Sequence, residues 1–486
     1  MTTSTTLTVE AHEGILSLPI PPQKIVPHDY PSVPTRSIEL QRISGGGTLE
    51  NHCDNQTDPT TEQSNIPPRD SVFDQKQTLW KPYMNRFRVI GCCLTGFANG
   101  MNDSAPGALI SSIETHYGIG YGTVSTIFIC NALGFIAAAT FVNGLATRIG
   151  RGKTLIISES LLILAYTILA ITPPFPVVAL SFFISGIGMA INLAISQVFC
   201  ASLANNTAII GVYQGAYGIG GVVSPLIATL MISNGWIWSR FYILELGLAS
   251  FNLFFASWSF WNYEKECEIA LPAPTSDENI SRQHSSKNLG RRWKSFKTLL
   301  KNKPTLLGSA FIFVYQGAEV AISGWIISFL VQFRHSDPSK VGYVTSGFWG
   351  GITLGRFTLS FLAHRIGERT FVLIATFGAL ILELTIWFIP SIPGASVFVA
   401  LSGFLLGPIY PCAVHVLQKL IQPEMLISSL SVIGSLGSSG GAVAPFVTGI
   451  LAQSVGTFVL HPVCIGLFVA MGVSWWVLPR VEKRDE

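Results

Sequence analysis

From Phe87 onward the chain alternates long apolar runs with short polar connectors. Runs near 88–110, 123–143, 154–172, 177–203, 209–232 and 239–261 are each long enough for a helix that crosses a bilayer core, which takes about 20 apolar residues. A polar stretch from Asn262 to Thr305 follows, then six more runs near 306–330, 341–363, 370–389, 396–421, 427–451 and 458–478. The pattern predicts an all-α membrane protein with twelve transmembrane helices in two six-helix halves. Connectors such as Pro173-Pro174-Phe175-Pro176 and Pro390-Ser391-Ile392-Pro393-Gly394 are short and break helices, so neighbouring helices run antiparallel. The expected organisation is a disordered polar tail (1–86), a first bundle (87–261), a basic linker (262–305), a second bundle (306–479) and a short tail (480–486).

Composition sharpens this picture. Of 486 residues, 49% are hydrophobic and only 12% charged, whereas a soluble domain carries about 25% charged residues. A net charge of +3 is too small to argue for nucleic acid. Cys92, Cys93, Cys130, Cys200, Cys412 and Cys464 lie inside apolar runs, without the spacing of a metal site or disulfide framework. Lys and Arg are uneven between alternate connectors. One set holds Arg148, Arg151, Lys153, Arg365, Arg369, Lys419 and the basic linker; the other holds only Arg240, Arg334 and Lys340. Positive charge stays on the cytosolic side, so both termini are expected in the cytosol.

The chain also repeats itself. Leu145-Ala146-Thr147-Arg148-Ile149-Gly150 recurs as Leu362-Ala363-His364-Arg365-Ile366-Gly367, 217 residues later. Gly220-Gly221-Val222-Val223-Ser224-Pro225 recurs as Gly440-Gly441-Ala442-Val443-Ala444-Pro445, 220 residues later. The two pairs end the second and centre the fifth helix of each half, so the halves are pseudo-symmetric. In the second motif, small residues let two helix backbones approach closely. In the first, a basic residue and a glycine make a tight turn, with Arg148 and Arg365 as candidate gate residues at helix ends.

These residues carry a resemblance. Gly144-Leu145-Ala146-Thr147-Arg148-Ile149-Gly150-Arg151-Gly152-Lys153 resembles the loop signature between helices 2 and 3 of the major facilitator superfamily, with Thr147 in place of the usual acid. Phe97 to Asp103, Tyr315 to Glu319 with Gly324-Trp325, and Trp349 to Arg356 resemble the fucose-permease-like branch, chiefly its fungal members. The resemblance implies the major facilitator fold and alternating access to a central path lined by the first and fourth helices of each half. It implies a plasma-membrane, monomeric carrier whose partners are a small solute, protons and the lipid bilayer. Fucose permease pairs an acid at the position of Asp103 with one on helix 4; here Gly186 to Asn192 has no carboxylate.

An ionisable group inside a membrane helix is costly and points to function. Asp103 and Glu319 lie 216 residues apart, at matching depths in helices 1 and 7. A carboxylic acid in poorly hydrated surroundings holds its proton more readily than in water, so both are proton-coupling candidates. Arg356, inside helix 8, is a charge partner for one of them or an attractor of anions. Asn99, Asn102, Gln197, Tyr217, Gln316, Trp325, Phe348 and Trp349 are the candidate binding wall, with flat rings to stack on a pyranose and amides to bond its hydroxyls. Glu159, Glu245 and Glu383 fall on helices peripheral in the family and are expected to snorkel or to be paired locally, Glu245 being the strongest exception. His415 is a weak candidate for a pH-sensitive ligand.

Enzyme readings fail. Gly437-Ser438-Ser439-Gly440-Gly441 fits a nucleophile-elbow spelling, but it lies in an apolar helix where that motif needs a strand. No P-loop, metal-ligand or other cofactor motif occurs. The sequence therefore favours proton-coupled uptake of a sugar-like solute. Efflux of a secondary metabolite or drug, and a non-transporting nutrient sensor, are the alternatives.

Overall fold

Each apolar run becomes a helix, because backbone polar groups in hydrocarbon must be satisfied within their own segment. The computed structural model describes residues 77–204, 206–264, 266 and 302–479. Most of the expected tail and linker therefore lies outside the described residues. The first half comprises α1 (Asn85–Tyr117), α2 (Thr126–Ile149, led in by a helical turn at Tyr121–Val124), α3 (Arg151–Ala170), α4 (Phe175–Ser202), α5 (Asn206–Ser233) and α6 (Phe241–Phe260). The second comprises α7 (Lys303–Gln332), α8 (Pro338–Ile366), α9 (Glu368–Phe388), α10 (Ile392–Leu406 resuming as Ile409–Leu420), α11 (Pro423–Val455) and α12 (Leu460–Val477). Twelve membrane-crossing helices thus stand among the described residues, six in each half.

Ten of these helices are long and apolar enough to be recognised as spans by hydropathy alone; α1 and α8 are not. The reason is the polar freight of the two exceptions. Thr95, Asn99, Asn102 and Ser104 on α1, and Thr345 and Ser346 on α8, are all buried against protein. The least lipid-like helices are those that supply the centre.

Close packing follows the repeat. A side chain on Gly220 of α5 would strike the carbonyl of Phe97 on α1, and one on Gly440 of α11 would strike that of Phe313 on α7. The repeated glycine motif therefore does the same job twice. A second reciprocal contact shares the 217-residue offset. Gly134 and Gly186 seat α2 and α4 against the carbonyls of Phe183 and Asn131; Gly351 and Gly403 seat α8 and α10 against those of Ala400 and Phe348. Small residues at such crossings replace the hydrophobic drive that lipid cannot supply.

The halves meet across α1–α7, α2–α11 and α5–α8. They are tight at the face away from the ends of α6 and α12, here the far face. There Gly107 abuts the Ser323 carbonyl, Gly324 abuts Phe128, Gly342 abuts Thr229 and Gly449 abuts Ser125. The Gly122 amide donates to Gln453 Oε1 (2.8 Å), and Ser111 and Ser328, equivalent in the repeat, place their hydroxyls 3.4 Å apart. Toward the opposite, terminus face the glycine contacts between the halves end with Gly215 of α5 against Phe357 of α8. Gly144 on α2, Gly211 on α5 and Gly434 on α11 have open space where a side chain would project. Ser104–Ile110 and Ala321–Leu330 are continuously buried in the far parts of α1 and α7, whereas the terminus-side parts are not. The bundle is closed at the far face and more loosely packed toward the terminus face.

The connectors at the terminus face are held by helix ends. Glu264, beyond α6, accepts from the amides of Arg151 and Gly152 and so caps α3. In the second half Arg369 donates to the carbonyls of Leu478 and Pro479 beyond α12. Arg148 and Arg365, the expected gate residues, are exposed at this face, with Arg365 lying 4.5 Å from the ring centre of Phe361.

Candidate functional site

At mid-depth, α1 and α5 of one half face α7 and α8 of the other. Asp103 on α1 accepts a hydrogen bond from the Tyr217 hydroxyl of α5 (2.6 Å). Glu319 on α7 lies 4.0 Å from Arg356 on α8. Tyr217 stands within electrostatic range of Glu319 and Arg356 as well as of Asp103, so it bridges the two units. The two acids are near enough to sense one another. Tyr315 and Tyr410, with ring centres 6.2 Å apart, flank the Glu319–Arg356 pair.

This arrangement has physical consequences. A buried ion pair is retained at a desolvation cost that its Coulomb attraction only partly offsets. Arg356 keeps 22% of its side chain exposed, whereas Glu319 is almost enclosed. The cation thus reaches the more loosely packed side while its partner stays in the wall. Asp103, Tyr217 and Gln316 are likewise half-buried at a depth where lipid-facing polar groups would be untenable. A polar seam therefore opens toward the terminus face, with a carboxyl on each wall.

The comparisons with known proteins bear on this geometry. The model of the Major Facilitator Superfamily matches residues 92–336 and 314–486. The chain belongs to the Major Facilitator Superfamily. It is 26% identical over 424 residues to Bypass of stop codon protein 6 of Saccharomyces cerevisiae, covering 82% of this chain and 84% of that one. It is 21% identical over 355 residues to the glucose/mannose transporter GlcP of Bacillus subtilis, covering 72% of this chain and 83% of the relative. A crystal structure of a D-xylose-proton symporter superposes with a TM-score of 0.63 at 13% identity, covering 82% of this chain and 98% of that chain; at that identity the likeness is one of fold.

Within this superfamily fold the expected binding wall splits into three groups. Tyr217 and Gln316 lie half-buried at the seam; Trp349 is buried beside them, its ring 6.0 Å from that of Tyr217 and its Nε1 donating to Ser323 Oγ (3.0 Å). Asn99 and Asn102 are buried and turned into the first half. Asn99 donates to Asn192 Oδ1 (2.7 Å), and Asn102 donates to the Tyr166 hydroxyl (3.1 Å). Gln197 is exposed nearer the terminus face. The third group is closed in. Phe348 packs at the α8–α10 crossing, and Trp325 donates to the Pro445 carbonyl (2.9 Å) while its ring meets Tyr121 at the far seam. In this conformation Trp325 and Phe348 are packing residues rather than an open wall, because both sit where the helices touch most closely.

None of the three peripheral glutamates snorkels. Glu159 accepts from Asn192 Nδ2 (3.3 Å), extending the Asn99–Asn192 chain into α3. Glu383 pairs with His461 (2.7 Å) in the interior of the second half. Glu245 is fully buried, and neither of its oxygens has a hydrogen-bond partner. His415 contacts Glu368 near the terminus face, away from the seam. Sequence reading did not single out Tyr166 or Tyr410. Each is a lone aromatic in an apolar run, and only the packing makes it the neighbour of a buried acid.

Proposed function

We propose that this protein is a secondary active transporter that carries a sugar or similar polar solute together with a proton. The observation that carries the reading is the mid-depth seam, where Asp103 with Tyr217 and Glu319 with Arg356 meet across the two halves. Carboxyls at matching depths in the two halves, beside a polar opening on one face, are suited to gain a proton on one side and release it on the other as the halves rock. Tyr217 and Gln316, half-buried at the seam, supply a ring and hydrogen-bonding groups for a sugar, with Trp349 packed beside the Tyr217 ring and Asn99 and Asn102 buried within the first half. The names of the relatives, a glucose/mannose transporter and a D-xylose-proton symporter, support the same substrate class. The charge asymmetry of the connectors makes the terminus face cytosolic. The state described is then inward-facing, in a monomer of the plasma membrane.

The test is uptake of labelled D-glucose, D-mannose, D-xylose and L-fucose into vesicles holding the purified full chain, with and without an acid exterior. At least one sugar should accumulate with the gradient and only equilibrate without it. Equal uptake in both conditions, or none across the panel, would overturn the reading.

A further inference from the structure

The two halves treat their buried acids differently. In the second, Glu319 faces Arg356 and Glu383 faces His461. In the first, Asp103, Glu159 and Glu245 surround the Tyr166 hydroxyl within electrostatic range, and the bonded partners are neutral, Tyr217 for Asp103 and Asn192 for Glu159. The groups facing Glu245 are Asp103 on α1, Tyr166 on α3 and Tyr242 on its own helix, none of them basic. Tyr166 stacks on Tyr242 at 6.1 Å, and its hydroxyl accepts from Asn102, the neighbour of Asp103.

Burying an ionised carboxylate without any partner is prohibitive, whereas a neutral acid is tolerated. Ionising one of several convergent acids also opposes ionising the next. Glu245 stands four residues after the far-side start of α6, roughly 6 Å along the axis at 1.5 Å per residue. It therefore lies between the far surface and Asp103, on the side now sealed.

We propose that Glu245 is a second proton-carrying residue of the transport cycle: it is the neutral acid in the far-closed state and takes its proton from the far side when that face opens. The proposal rests on the proton-coupled reading above. The balance is simple. In the far-open state a carboxylate at Glu245 gains a proton from far-side water; after closure Asp103 releases its own proton to the terminus-side opening, and as the cycle resets the Glu245 proton passes to the Asp103 carboxylate, so one proton enters and one leaves per cycle. Tyr166 is a positioning residue, holding Glu245 and Asp103 in one electrostatic unit.

Two measurements test it in vesicles holding the full chain. Infrared difference spectra near neutral pH should show a carboxylic-acid C=O band that Glu245→Gln removes, that Asp103→Asn leaves, and that Glu245→Asp restores at a shifted frequency. With D-glucose as probe, Glu245→Gln should lose the roughly tenfold accumulation that one coupled proton sustains per pH unit, while Glu245→Asp retains most of it. A band unchanged in Glu245→Gln, or accumulation equal to wild type, overturns the proposal. Should wild type fail to accumulate any sugar, the functional reading falls; the infrared arm still decides whether Glu245 holds a proton.

Discussion

Asp103→Asn is expected to abolish pH-driven accumulation while sparing exchange of substrate already on both sides. Asparagine matches the neutral acid in shape and can still meet the Tyr217 hydroxyl, which lies 2.6 Å from Asp103 Oδ2. The site should therefore fill and the loaded carrier should rock. It cannot release a proton to the terminus face, so the gradient no longer drives the cycle. One coupled proton per solute sustains about tenfold accumulation for each pH unit, because a unit is worth 1.36 kcal/mol. The mutant ratio should fall to one, while counterflow of preloaded sugar is retained. Unchanged accumulation would remove Asp103 from the coupling step.

The second large effect concerns the far seam. Ser111 and Ser328 occupy equivalent positions on α1 and α7, with hydroxyls 3.4 Å apart. A Ser111→Cys, Ser328→Cys pair is placed to form a disulfide after small rotations. Such a bond would tie the halves together at the face that must part for the cycle to continue. Mild oxidation should cut transport by about tenfold or more, since a carrier that cannot reach its second state has no competent population, and a reductant should restore it. Each single cysteine should transport as wild type. Full activity in the oxidised pair, with the crosslink verified, would mean that the far seam does not open.

Much of this architecture was legible in the sequence. The count of spans follows from apolar runs, and the kinship of the halves from the motifs at Arg148 and Arg365 and at Gly220 and Gly440. The carbonyl contacts of Gly220 and Gly440 show what the second motif is for. The α2–α4 and α8–α10 crossings were harder to see. Gly134 and Gly351, like Gly186 and Gly403, share the repeat offset but sit in dissimilar local sequence, so only pairing across helices reveals them.

The site was legible in part for a related reason. Hydropathy shows that a carboxyl lies within the membrane, but not which face of the helix carries it. Asp103 and Glu319 stood out by their matching depths in helices 1 and 7. Glu159 and Glu245 lack that signal; they turn inward because α3 and α6 pack against α4 and α1. Trp325 and Phe348 illustrate the reverse. Their ring chemistry suits a sugar, yet helix contact at the far seam and at Gly403 encloses them.

The most direct test follows protons rather than sugar. Vesicles holding the wild-type chain and a lumenal pH dye, with no imposed gradient, are given an excess of whichever sugar the uptake panel identifies. Sugar moving down its own gradient should carry protons inward and acidify the lumen, in proportion to the sugar that enters, and Asp103→Asn should show sugar exchange without the acid. Sugar entry into wild-type vesicles with no change in lumenal pH would contradict the account.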